Sequence, residues 1–148
     1  MTYPADMANA IDQTTVVTGV DFVCVPTRDI TAAMDFYGDV LGLERSKLWQ
    51  RGDEEPMGAE FEPGTVTIAL LNTEKLGIEF QANNAPIALQ VDDVEAARGE
   101  LESRGVTFVP ETMDSGVCHM AYFSDPDGNA LMLHHRYAPQ GERPKGNV

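Results

Sequence analysis

Asp29-Ile30-Thr31-Ala32-Ala33 returns 64 positions later as Asp93-Val94-Glu95-Ala96-Ala97, and Gly64 returns at the same offset as Gly128. A repeat of this length is one supersecondary unit used twice, so it constrains the fold more than any single motif does. In the first copy, Val16 to Val25 is rich in β-branched residues and predicts a strand ending at Pro26. Asp29 then caps a helix running to Leu41, with Ile30, Ala33, Met34, Tyr37 and Leu41 at helical spacing and Gly42 as its stop. Residues 43–50, 58–61 and 66–71 read as three strands, separated by Gly52-Asp53-Glu54-Glu55-Pro56 and Glu62-Pro63-Gly64. The second copy repeats the order: a strand over 87–91, a helix capped by Asp93 with Val94, Ala97 and Leu101 on one face, a stop at Gly105, and a strand over 106–109. Its last two strands form a hairpin over 117–135, closed by Ser124-Asp125-Pro126-Asp127-Gly128-Asn129, the composition a type I turn selects. The expected fold class is α+β, with two β-α-β-β-β modules in one domain. Module one covers about 16–71, a linker 72–86 and module two about 87–135, with a flexible arm over 1–15 and a flexible tail over 136–148.

A chain of 148 residues, 43% of them hydrophobic, is long enough for one domain with its own core. Its formal net charge of -14 argues against nucleic acid and anionic membrane as partners, because both are bound through Lys and Arg. No run reaches the length of a membrane span and the first residues lack the features of a signal peptide, so a cytoplasmic protein is expected. Cys24 and Cys118 show no metal-type spacing and are expected to be buried free thiols.

The segments Asp29-Ile30, Phe36-Tyr37-Gly38-Asp39-Val40-Leu41-Gly42-Leu43, Val91-Asp92-Asp93-Val94 and Asp125-Pro126-Asp127-Gly128-Asn129 together resemble the vicinal oxygen chelate superfamily. That group includes glyoxalase I, extradiol dioxygenases, and fosfomycin- and bleomycin-resistance proteins. The resemblance covers roughly residues 18–135. It implies paired βαβββ modules whose sheets curl into an open, barrel-like cleft, usually within a homodimer, and a divalent metal held near the start of the first strand and in the last strand of each module. The matching positions here are Phe22, Pro86, Met132 and either Ile68 or Ala69, depending on register. None supplies a donor for a hard divalent ion, so no cofactor and no metal ligand is expected.

Phe22, Phe61, Ile68 and Met132 are expected to form an apolar cleft floor, with Trp49 as a surface for stacking or a core or dimer contact. His119 and His134, on neighbouring strands of the hairpin, are candidates for ligand binding, for general base catalysis or for a relocated metal site. Gln90, Glu60, Glu79 and Asp21 are further donors for such a site. Ser115 and Ser124 lack a nucleophile context, and Cys118 next to His119 points to the opposite face of a strand. The expectation is a homodimer holding a small organic molecule, planar or cationic, in an apolar cleft without a metal. The alternatives are a lyase, isomerase or dioxygenase with a relocated metal or His-based catalysis, and a non-catalytic accessory or regulatory dimer.

Overall fold

The computed structural model describes residues 15–139. Apart from Thr15, the expected N-terminal arm lies outside the described residues, as does the tail from residue 140. The elements are β1 (Phe22–Pro26), α1 (Ile30–Asp35) running into a π-helical turn (Phe36–Val40), β2 (Glu44–Trp49), β3 (Gly58–Glu62), β4 (Thr67–Leu71), β5 (Ile87–Gln90), α2 (Val94–Ser103), β6 (Met113–Asp114), β7 (Cys118–Ser124) and β8 (Ala130–Arg136). They build two four-stranded sheets, ordered β1-β4-β3-β2 and β5-β8-β7-β6. The first strand of each module lies parallel to the last, and the other pairs are antiparallel. This is the α+β arrangement of two βαβββ modules that the repeat predicts, with the sheets left open.

The caps behave as the sequence indicates. Asp29 and Asp93 each accept the amide of the third residue on, Ala32 and Ala96, at 3.0 Å. The hairpin turn is held by Asp125, whose side chain accepts the amides of Asp127 and Asn129 at 3.0 and 2.9 Å, while Gly128 takes φ 89°.

Direct cross-strand partners share a face of a sheet. Val25↔Leu70, Ala59↔Leu70 and Phe61↔Ile68 in sheet one, and Ala121↔Leu133 and Phe123↔Leu131 in sheet two, therefore define inner faces. These residues join Ile30, Ala33, Tyr37, Val94 and Leu101 of the helices in one buried cluster that spans both modules. The modules are further tied by polar contacts. Tyr37 Oη donates to Asp125 Oδ2 at 2.8 Å, Thr27 Oγ1 to Asp127 Oδ2 at 2.6 Å, and Asn129 Nδ2 to the Pro26 carbonyl at 2.8 Å. Burial and the Asp125 carboxylate push the Tyr37 phenol far above its ordinary range.

Several expectations need correction. Residues 16–21 form no strand: β4 begins opposite Phe22, so no described strand pairs with them, and Val16, Val17 and Val20 are exposed. Residues 106–109 are not a sheet strand either. Phe108 buries its ring against Phe123, centroids 4.9 Å apart, and the short edge strand forms later at Met113–Asp114. The tail does not begin at 136: Arg136 ends β8, and the Tyr137 amide donates to the Val117 carbonyl at 3.0 Å. Cys24 is exposed rather than buried, whereas Cys118 is buried; both are free.

Candidate functional site

The outer, open face of each sheet carries the side chains that alternate with the core. In sheet one the rows are Phe22 beside Thr67, then Cys24, Ala69, Glu60 and Lys47, then Pro26, Leu71, Gly58 and Trp49. In sheet two they are Ala88, Met132 and Tyr122, then Gln90, His134 and Met120. Asn83 of the linker donates its side-chain amide to the Cys24 carbonyl at 3.2 Å and its own carbonyl accepts the Ala130 amide at 2.8 Å, so the edge of β1 adjoins the start of β8.

The register separates the expected site residues. Phe22, Trp49, Met132 and His134 lie on open faces. Phe61 and Ile68 do not: they are direct partners on the inner face, 2% and 1% exposed, and belong to the core instead of a cleft floor. In the last strand of module one the position on the face opposite the core is Ala69, whose small side chain is itself fully buried. His119 and His134 are also parted. His119 pairs with His135 and His134 with Met120, so the two candidates project from opposite faces of sheet two and cannot act on one ligand from one side.

His119 sits at the edge of its sheet, Nε2 3.4 Å from Asp114 Oδ2, with its ring 4.8 Å from that of Tyr137. Tyr137 Oη donates to Asp114 Oδ1 at 2.8 Å. The amide of Gly116, then the Tyr137 hydroxyl and His119, hold the Asp114 carboxyl below its usual range, and the same hydrogen bond pushes the Tyr137 phenol up. Among the other donors considered, Glu60 and Gln90 lie on open faces, while Asp21 and Glu79 are exposed outside the strands.

Trp49 has a built seat. A Cβ placed on Gly58 would lie 2.5 Å from Trp49 Cε3 and 2.5 Å from the Leu70 carbonyl oxygen. The indole therefore lies across the bare backbone of Gly58, and Lys47 Nζ stands 5.7 Å from the ring centroid. The ring is half-buried, which leaves part of it to a neighbour. Met120 and Tyr122 share the open face with Met132 and His134; the Tyr122 hydroxyl contacts only Met120 sulfur, at 3.7 Å, among its hydrogen-bond partners in the described residues. Counting outward from the hairpin turn with a period of two would have found both.

The donor set does not fit the divalent metal that the resemblance implies. Phe22, Pro86 and Ala69 have no side-chain donor, and Met132 offers a soft thioether. Among the described residues no group of three or more His, Cys, Asp or Glu is arranged to hold a metal ion. None of their helices is long and apolar enough to cross a membrane.

Comparison with known proteins bears on this geometry. A family model described as Glyoxalase/Bleomycin resistance protein/Dioxygenase superfamily matches residues 19–133. The chain is 24% identical over 169 aligned positions to a lactoylglutathione lyase of Schizosaccharomyces pombe, covering 96% of this chain and 54% of that protein, so it spans about half the length of that relative. Among solved structures, it resembles TnmS3, an antibiotic binding protein from Streptomyces sp. CB03234, with a TM-score of 0.67 and 24% identity over 82% of this chain and 98% of that one. A superfamily member from Sphaerobacter thermophilus DSM 20745 gives a TM-score of 0.65 and 27% identity, over 81% and 98% of the two chains. A protein from Nocardioides gives 0.69 and 21%, over 98% and 99%.

Proposed function

Because this chain belongs to the Glyoxalase/Bleomycin resistance protein/Dioxygenase superfamily, we propose that it binds a small organic molecule with a planar portion on the open faces of its sheets, as a homodimer and without a metal. The observation that carries this reading is the seating of Trp49 over Gly58, which holds a large aromatic surface in place while leaving part of it accessible. A ring held this way loses little rotamer freedom when a ligand stacks on it. Met132, Tyr122 and Met120 supply adaptable apolar contact on sheet two. His134 and Gln90, adjacent in register, supply polar groups that orient a ligand at one end of that face. The metal-free part of the reading rests on the absence of hard donors at Phe22, Pro86, Ala69 and Met132. An antibiotic binding protein with this fold supports the class of occupant.

Trp49 is the only tryptophan, so its fluorescence reports on the proposed site directly. Titration with a panel of planar aromatic drugs, bleomycin included, is expected to quench or shift the emission saturably for at least one compound. The same compound is expected to raise the melting temperature, since a ligand of the native state stabilises it by mass action. Emission and melting temperature unmoved across the panel would remove the reading's main support.

The second reading is catalysis, favoured by the likeness to a lactoylglutathione lyase and by the position of His134 on the open face. On that reading His134 is a general base and its replacement by Ala abolishes turnover, while His119→Ala, on the other face, leaves turnover unchanged.

A further inference from the structure

The two-fold repeat gives every residue at the contact between the modules an equivalent position in the other copy, and at one junction the equivalent residues cannot make the matching hydrogen bonds. At the end of β1, Thr27, Tyr37, Asp127 and Asn129 close the contact between modules with the hydrogen bonds described above. Their equivalents at the repeat offset of 64 are Val91, Leu101, Pro63 and Thr65. Among the described residues none of these four makes a side-chain hydrogen bond across the modules, and all line an open groove of about 920 Å³ between them. Its floor is apolar, from Val23 and Ile68 of sheet one and Leu89 and Leu133 of sheet two, and Ala97 and Leu101 of α2 form one wall. The space that protein groups fill on one side of the molecule is thus left unfilled on the other.

We propose that this groove, which reaches the open face of sheet two only at Ala88 and Gln90, is a second small-molecule site, and that it takes an amphiphile with an apolar body and a protonated amine. Its volume and apolar lining are those of a small-molecule pocket. The head group follows from the rim, which carries Asp92, Glu100 and Arg104. Arg104 is committed: its guanidinium donates to Glu100 at 3.0 Å and to the Val40 carbonyl at 2.7 Å. Arg104 and Glu100 neutralise each other, which among the described residues leaves Asp92, exposed, as the charge at the mouth without an ion-pair partner. A cation is the complement of that charge, and the net charge of -14 favours its approach.

Calorimetric titration with n-octylammonium, 1-octanol and octanoate tests this on the intact chain. Saturable binding of octylammonium is expected at one equivalent per chain, several-fold tighter than octanol, with octanoate weakest. Asp92→Asn, an exposed substitution, is expected to bring octylammonium down to the octanol level. Ala97→Phe, or the smaller Ala97→Leu if Phe lowers the melting temperature, fills the groove and is expected to abolish binding of both while leaving the Trp49 response of the open face intact. Equal binding of the three probes overturns the cationic class. Binding unaffected by either Ala97 variant, or no binding to the unmodified chain, overturns the site. If sedimentation shows that the Ala97 variants shift the protein between monomer and dimer, a second copy occupies the groove and the proposal fails.

Discussion

At the scale of residues, two positions decide whether the proposed geometry can exist. Tyr37 donates to a buried carboxylate that also accepts from Asn129 Nδ2 and from the amides of Asp127 and Asn129. Tyr37→Phe removes one donor and leaves three, so the predicted cost is about 1.5–3 kcal/mol, the range for a hydrogen bond to a charged group; urea denaturation measures it. Gly58 is the second. With a methyl group 2.5 Å from both the Leu70 carbonyl and the indole, either the strand or Trp49 must move. Gly58→Ala is predicted to cost about 1–3 kcal/mol as an overpacking change and to shift Trp49 emission in the free protein. An unshifted spectrum at wild-type stability contradicts the seating of the ring. Neither residue was legible as special in the sequence, because the importance of Gly58 comes from what crosses it and that of Tyr37 from a partner 88 positions away.

At the scale of elements, the strands and helices that repeat were readable because capping aspartates, turn glycines and apolar periodicity agree locally at both copies. Which face each strand turns to the core was not readable by the same means. Phe61 and Ile68 are as apolar as a cleft lining would be, and only their direct pairing under Tyr37 shows that they are core. His119 and His134 failed as a pair for the same reason: hairpin register, not proximity in sequence, sets the face. Val106 to Val109 reads as a strand from its composition, but the demand of Phe108 for a buried site sets its path. The edge formed by β6, β7 and the end of β8 makes a pH prediction. The Asp114 carboxyl is held below its ordinary range by Gly116, Tyr137 and His119, so its bonds contribute stability above about pH 4, the usual Asp range, and that contribution is lost as pH falls through the lowered folded value. Asp114→Asn is predicted to flatten the acid limb of stability against pH; an unchanged limb removes Asp114 from the account.

At the scale of the whole molecule, the fold follows from duplication and the site from what the two copies do not share. The strongly apolar stretch Val16, Val17, Val20 and Phe22 is 50% to 90% exposed at the edge of sheet one, more than an isolated chain of charge -14 gains from showing to water. The proposed homodimer predicts a sedimentation mass near twice the 16.1 kDa of the chain, reduced by Val16→Glu with Val17→Glu, neither of which lines the groove. A monomer at micromolar concentration contradicts it. The central claim is that open-face contacts hold an organic ligand without a metal, and one titration tests it most directly. The best compound of the Trp49 panel is titrated calorimetrically into wild-type protein and Met132→Lys, each with excess chelator and again with added divalent ions. The account predicts saturable binding that chelator leaves unchanged and that Met132→Lys abolishes. Binding that requires a divalent ion, or that survives Met132→Lys at full affinity, contradicts it.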